Sequence, residues 1–166
     1  MIEKIVDYKV AFNTATSAHD IVLLKLKTPF KFNSVVQPAC LPDATFKPQN
    51  DGKTAFVSGW GLKKAGNMNM ENVLQWASVP LYKDGQCGHN PTDVLLMDTL
   101  VCAGGKGKES CNGDSGGPLV TNKGDGTAVV IGTVNGSFAA KCGDLDWPAY
   151  YAKTTYYLDW IKANMG

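Results

Sequence analysis

Gly113-Asp114-Ser115-Gly116-Gly117-Pro118 is the most informative stretch of the sequence. Glycines on both sides of a lone serine free the backbone to bring its Oγ and the neighbouring N–H groups together. That arrangement presents a nucleophile. A hydroxyl is a weak nucleophile near neutral pH, so it needs a base to take its proton and preorganised donors for the oxyanion that forms. The N–H groups of Gly113 and Ser115 can supply those donors. Taken alone, the stretch reads equally as a glycine-rich hairpin between Cys111 and the strand-like Leu119-Val120. The flanking sequence decides between the two.

The chain has 166 residues, 44% hydrophobic and 19% charged, which is ordinary globular material with enough apolar content for one sizeable core. Its net charge of +1, with both signs scattered, argues against nucleic acid or an anionic membrane as the main partner. No apolar run approaches the roughly 20 residues needed to cross a bilayer. Met1-Ile2-Glu3-Lys4 opens directly into structured-looking sequence rather than a signal peptide. The five cysteines, at 40, 87, 102, 111 and 142, fit no C-x-x-C spacing, and with only two histidines no metal site is expected. A disulfide set is the better reading, and it implies an oxidising compartment. One cysteine is left over, either free or partnered elsewhere.

Most of the sequence reads as short β-rich runs broken by Gly, Pro, Asn and Asp, the pattern of an antiparallel all-β barrel or sandwich. Candidate strands are 4–10, 21–26, 54–58, 74–81, 99–103, 118–121, 128–135 and 149–153. Only the end looks helical: Tyr157, Trp160, Ile161 and Asn164 fall at helical spacing, with Thr155 as the expected N-cap. Between Asn33 and Asn50, Pro38, Pro42 and Pro48 interrupt a stretch of little periodicity, a reasonable connection between two packed units. Asn67-Met68-Asn69-Met70 looks like an exposed loop tip.

Six motifs in order resemble the chymotrypsin/trypsin-like serine endopeptidases. They are His19-Asp20-Ile21-Val22-Leu23-Leu24-Lys25-Leu26, Gln37-Pro38-Ala39-Cys40-Leu41-Pro42, Ser58-Gly59-Trp60-Gly61, Val101-Cys102-Ala103-Gly104, the serine motif, and Tyr157-Leu158-Asp159-Trp160-Ile161. The resemblance implies a double β-barrel with the active site in the cleft between barrels and a C-terminal helix. On that scheme residues 1–33 are a remnant of the first barrel, 34–50 the connection, 51–154 the second barrel and 155–166 the helix. It also implies that Ser115 is the nucleophile, Gly113 and Ser115 the oxyanion donors, and Asp20 a buried carboxylate that orients the catalytic imidazole. Read alone, Asp20 is also a turn acid before a strand.

The histidine departs from the pattern. The family's base should lie upstream of Asp20 in a segment resembling Ala-Ala-His-Cys, and residues 1 to 19 contain none. His19 adjoins Asp20, and strand alternation should aim its ring away from the cleft. His89, in Cys87-Gly88-His89-Asn90-Pro91, reads as a solvated loop residue. Double-barrel β enzymes commonly run to roughly 200–250 residues, so the chain reads as one from which most of the first barrel is missing. The activated N-terminus, whose ammonium would pair with Asp114, is missing too. A zymogen-like orientation of the Gly113 N–H is therefore expected.

By the same resemblance Cys87 pairs with Cys102 and Cys111 with Cys142. Cys40 then bridges to an upstream propeptide or regulatory segment, or is a free buried thiol. A further family bridge would join the positions of Ala55 and Thr121, where both ends are non-cysteine.

Glu109 falls where trypsin-like members carry the acid that pairs with a substrate Lys or Arg, although it reads as well as a surface acid beside Lys108. Asn135-Gly136-Ser137 stands where the family shows Ser-Trp-Gly for pairing with the substrate backbone, so the aromatic wall is absent. Ala149 replaces a family glycine and narrows the pocket. Asn135-Gly136-Ser137 is also an N-x-S sequon, and a glycan there would obstruct the cleft.

The expectation is thus a secreted trypsin-like serine endopeptidase working through an acyl-enzyme on Ser115, without metal or organic cofactor. It would be inactive as this chain alone for want of the histidine. Expected partners are protein or peptide substrates cleaved after Lys or Arg, and serpin-type or small protein inhibitors. The alternatives are a non-catalytic homologue used for binding or regulation, and an inhibitor-binding decoy. The apolar strand from Ile21 to Leu26 should lie exposed and favour association.

Overall fold

A computed structural model of the protein describes residues 1–7, 18–48, 53–64, 66, 69–84, 86–87, 98–105, 107–137, 142–143 and 147–165. The strands are β1 (Ile2–Asp7), β2 (Val22–Leu26), β3 (Thr54–Gly59), β4 (Gln75–Pro80), β5 (Leu100–Ala103), β6 (Pro118–Asn122), β7 (Ala128–Ser137) and β8 (Ala149–Lys153), followed by helix α1 (Thr154–Asn164). All eight expected strands are present, the last with the expected bounds and the other seven with at least one end moved. Residues 8–10 of the first lie outside the described residues.

Strands β3 to β8 form one six-stranded antiparallel sheet in the order β4-β3-β6-β7-β8-β5. The sheet also closes. Just past β4, Leu81 bridges Ala103 of β5, with Tyr82 N–H donating to Cys102 C=O and Gly104 N–H to Pro80 C=O, both at 3.0 Å. Its inward residues alternate with outward ones, as Ala55 and Val57 do against exposed Phe56 in β3. They meet in a core that includes Val79, Leu119, Val129 and Tyr151, all fully buried. Side chains of that kind stabilise the fold by about 1.5–3 kcal/mol each on burial.

The first two strands make a separate two-stranded sheet with Ile5 opposite Leu24 and Val6 opposite Leu23. It is held to the barrel through α1: Ile21, Leu23 and Leu41 pack against buried Tyr157 and Ile161. On its other side Ile5, Val22 and Leu24 are exposed, so the expected exposure of residues 21–26 holds for that face only, Ile21, Leu23 and Leu26 being half-buried.

Two local expectations are corrected. Helix α1 starts at Thr154, and its N-cap is Lys153, without a side-chain cap bond, rather than Thr155. Strand β8 runs straight into the helix, and the Lys153 N–H is spent on Thr99 C=O at 2.8 Å, so no loop residue remains to cap it. Cys40 pairs with no other cysteine of this chain, and it is exposed rather than buried. Its backbone lies beside Val129, donating to Ala128 C=O at 3.1 Å and accepting from Val130 N–H at 3.0 Å. Both implied disulfides, Cys87–Cys102 and Cys111–Cys142, are formed. At the vacated bridge positions Ala55 and Thr121 are buried, and the Thr121 hydroxyl donates to Thr54 C=O at 3.0 Å.

Candidate active site

The serine turn joins Cys111 to β6, and its backbone is pinned nearly throughout. Asp114 N–H donates to Cys111 C=O at 2.9 Å, Gly116 N–H to Val134 C=O at 2.8 Å and Gly117 N–H to Asp114 C=O at 2.9 Å. The Val134 amide returns a bond to Gly117 C=O at 2.8 Å, fastening the turn to β7. Gly113 and Gly116 adopt φ +94° and +77°, in the left-handed region where a side chain is strained. Ser115 is exposed at the apex. Among the described residues, the Gly113 and Ser115 amides make no hydrogen bond. Two open donors beside an exposed hydroxyl are what an oxyanion site requires.

Asp114 points the other way, into the Ser58–Gly61 turn. Its Oδ1 accepts the Gly61 amide and its Oδ2 the Cys111 amide, both at 2.8 Å. Such close approach needs glycine: a Cβ on Gly61 would come within 2.6 Å of Asp114 Cγ. A cavity of about 190 Å³ opens beside this carboxylate, lined also by Gln75, Trp76, Lys108 and Glu109.

Glu109 is half-buried rather than a surface acid, and its carboxylate accepts the Gly143 amide. Asn135, Gly136 and Ser137 are half-buried residues at the end of β7, Ser137 pairing with Ala149 of β8. A bulge at Asn135 shifts the register, so that Gly136 faces Tyr150. Ala149 itself is fully buried.

Asp20 is exposed, contrary to expectation. Ala18 is buried, but His19 turns the chain at φ +62°, which delivers the next residue to the surface. The burial the carboxyl retains still holds its pKa above the ordinary 3.8. His19 lies in that turn and not in a strand, so its direction is set by the turn rather than by strand alternation. Its Nδ1 is 3.3 Å from the Tyr157 hydroxyl, and its ring packs against Tyr156 and Tyr157 of α1. His89 lies outside the described residues.

The sequence reading missed Ser110 and Tyr151, both buried. The Tyr151 hydroxyl lies beside Ser110 without a well-formed hydrogen bond among the described residues. Burial, with some help from the Glu109 and Asp114 charges, pushes its pKa up to about 12. Alternation through 149–153 is the signal that turns Tyr151 inward.

A comparison with known families matches residues 2–161 to the one described as Trypsin. Phenoloxidase-activating factor 3 of Holotrichia diomphalia is 39% identical over 153 residues, covering 89% of this chain and 42% of that protein. Trypsin-1 of Astacus astacus is 38% identical over 152 residues, covering 88% of this chain and 60% of that protein. The structure of neuropsin, a serine protease expressed in the limbic system of mouse brain, superposes with TM-score 0.85 at 29% identity, over 100% of this chain and 71% of that one. The chain thus spans less than two thirds of the length of both sequence relatives. With the closed barrel, the terminal helix, the two disulfides and the serine turn, this match establishes that the chain belongs to the trypsin family of serine endopeptidases.

Proposed function

We propose that the chain is the serine- and aspartate-bearing part of a secreted trypsin-like endopeptidase, and that its catalytic histidine is supplied by sequence preceding residue 1. The observation that carries this reading is the exposed Ser115 beside the open amides of Gly113 and Ser115. In the complete enzyme Ser115 Oγ attacks the scissile carbonyl while the histidine takes its proton. The oxyanion is held by the two amides, and the same histidine protonates the leaving amine before water releases the acyl group. Asp20 orients that imidazole. Asp114 receives the ammonium of the activated chain start, and the cavity at its side is the space such a segment needs. Glu109 selects substrates cleaved after Lys or Arg, with Ala149 and Asn135-Gly136-Ser137 shaping the pocket. Cys40, being exposed, is accessible for a bridge to a propeptide or other upstream segment.

Alone, the chain is proposed to be inactive: no base serves Ser115, and without an ammonium on Asp114 the Gly113 amide keeps a zymogen-like orientation. The test is to express it with the upstream coding sequence and assay Lys-, Arg- and Phe-ester hydrolysis. Hydrolysis of the basic esters, lost on Ser115→Ala, is expected. A complete domain carrying an upstream histidine yet showing no serine-dependent turnover would refute the reading.

A second reading is a non-catalytic homologue used for binding or regulation, which the engagement of His19 with α1 fits equally well. An upstream sequence without an Ala-Ala-His-Cys-like segment is the result that selects it.

A further inference from the structure

Met70 and Gly61 together crowd one face of Gly113. A Cβ built on it would lie 3.0 Å from Met70 Cε, 3.4 Å from Met70 Sδ and 3.1 Å from Gly61 Cα. Glycine has no side chain to fix its peptide planes, so whatever lies against its α-carbon governs how freely those planes rotate. The segment ends that carry Met70 are held in place. Glu71 N–H donates to Trp60 C=O at 3.0 Å, Lys63 pairs with Glu71 at 2.8 Å, and Leu62 N–H donates to Asn112 C=O at 2.9 Å. These bonds tie both ends of the 60–71 loop to each other and to the residue preceding Gly113. Yet Met70 is 62% exposed, so core packing does not account for its place. An unbranched thioether can follow the surface it touches, and here that surface carries an oxyanion donor.

Building on the protease reading, we propose that Met70 is a positioning residue for the Gly113 peptide, and that oxidation of its thioether by hydroperoxides displaces that peptide. In the step, the sulfur lone pair attacks the terminal peroxide oxygen, forming S–O as O–O breaks. Sulfur is oxidised by two electrons to the sulfoxide, while the hydroperoxide is reduced to an alcohol, or to water from hydrogen peroxide, its proton passing to the departing oxygen. An apolar contact becomes a polar acceptor beside the Gly113 amide. Leucine preserves the contact and removes the chemistry.

The test is amide NMR of the ¹⁵N-labelled chain during hydrogen peroxide treatment, with oxidation mapped by peptide mass spectrometry. The Gly113 and Ser115 resonances are expected to move in step with conversion of Met70. Oxidation of Met1 and Met165, which are 93% and 59% exposed, should leave them in place. Met70→Leu should keep the untreated positions and abolish the response, and Met70→Ala should displace Gly113 without oxidant. A Gly113 amide indifferent both to Met70→Ala and to Met70 oxidation overturns the proposal. These readings involve no turnover, so they are independent of the protease reading. In the upstream-extended enzyme, Met70→Ala is expected to lower kcat about tenfold with little change in KM, and Met70→Leu to restore it. A rise in KM at unchanged kcat would contradict a positioning role.

Discussion

The Asp114 carboxylate accepts the Gly61 amide at 2.8 Å, joining the serine turn to the turn that follows β3. The same side chain accepts Cys111 N–H, so one residue holds two segments in register. Asp114→Asn keeps the shape but turns a donor toward one of those donors. The expected loss is about 1–3 kcal/mol, read as a lower urea midpoint at unchanged slope. An unaltered midpoint would mean that the carboxylate is dispensable to the isolated fold.

Tyr151 gives an alkaline signature. Its native pKa of about 12 lies above the ordinary 10.0, so above pH 10 the unfolded chain binds fewer protons than the native one. Stability should therefore fall as pH rises from 10 to 12, by at most about 3 kcal/mol. Tyr151→Phe should flatten that slope and cost little at neutral pH, because the buried hydroxyl has no well-formed bond to lose. An identical slope in the variant would show that another group is responsible.

Asp20 works in the opposite direction from most native carboxylates. Its native pKa is raised above 3.8, so its stabilising effect is complete below that value and is lost as pH rises through the native pKa. Asp20→Asn should thus stabilise the chain slightly at pH 7, by no more than about 0.5 kcal/mol given its exposure. The difference should vanish in acid. A variant less stable than the parent at pH 7 would count against this assignment.

Ile5 and Leu24, directly opposed in the two-stranded sheet, are 57% and 51% exposed. That apolar face should drive concentration-dependent association, visible by sedimentation velocity. The double substitution Ile5→Lys with Leu24→Glu should shift the chain toward monomer. Equal association in parent and variant would place the sticky surface elsewhere.

The antiparallel all-β fold was legible because its strands alternate and are separated by Gly, Pro, Asn and Asp, whereas the choice of a barrel over a sandwich came through the family resemblance. Ala55-Phe56-Val57 is representative: inward, outward, inward. Disulfide pairing was not legible from spacing, since four cysteines permit several connectivities, and it came through the family resemblance. The exposure of Asp20 escaped because it depends on a single left-handed residue, His19, whose φ no periodicity reveals. Met70 looked like a loop tip for a similar reason. Its place against Gly113 arises from ties between the 60–71 loop and Asn112, distant in sequence and adjacent only once the barrel has formed.

A fluorophosphonate probe distinguishes a Ser115 served by a base from one that has none. The isolated 166-residue chain should show no labelling above that of Ser115→Ala, and, on the proposed reading, a form extended upstream to include a histidine-bearing segment should, once activated, label at Ser115 stoichiometrically. Stoichiometric Ser115 labelling of the isolated chain would contradict the claim that this serine lacks its base.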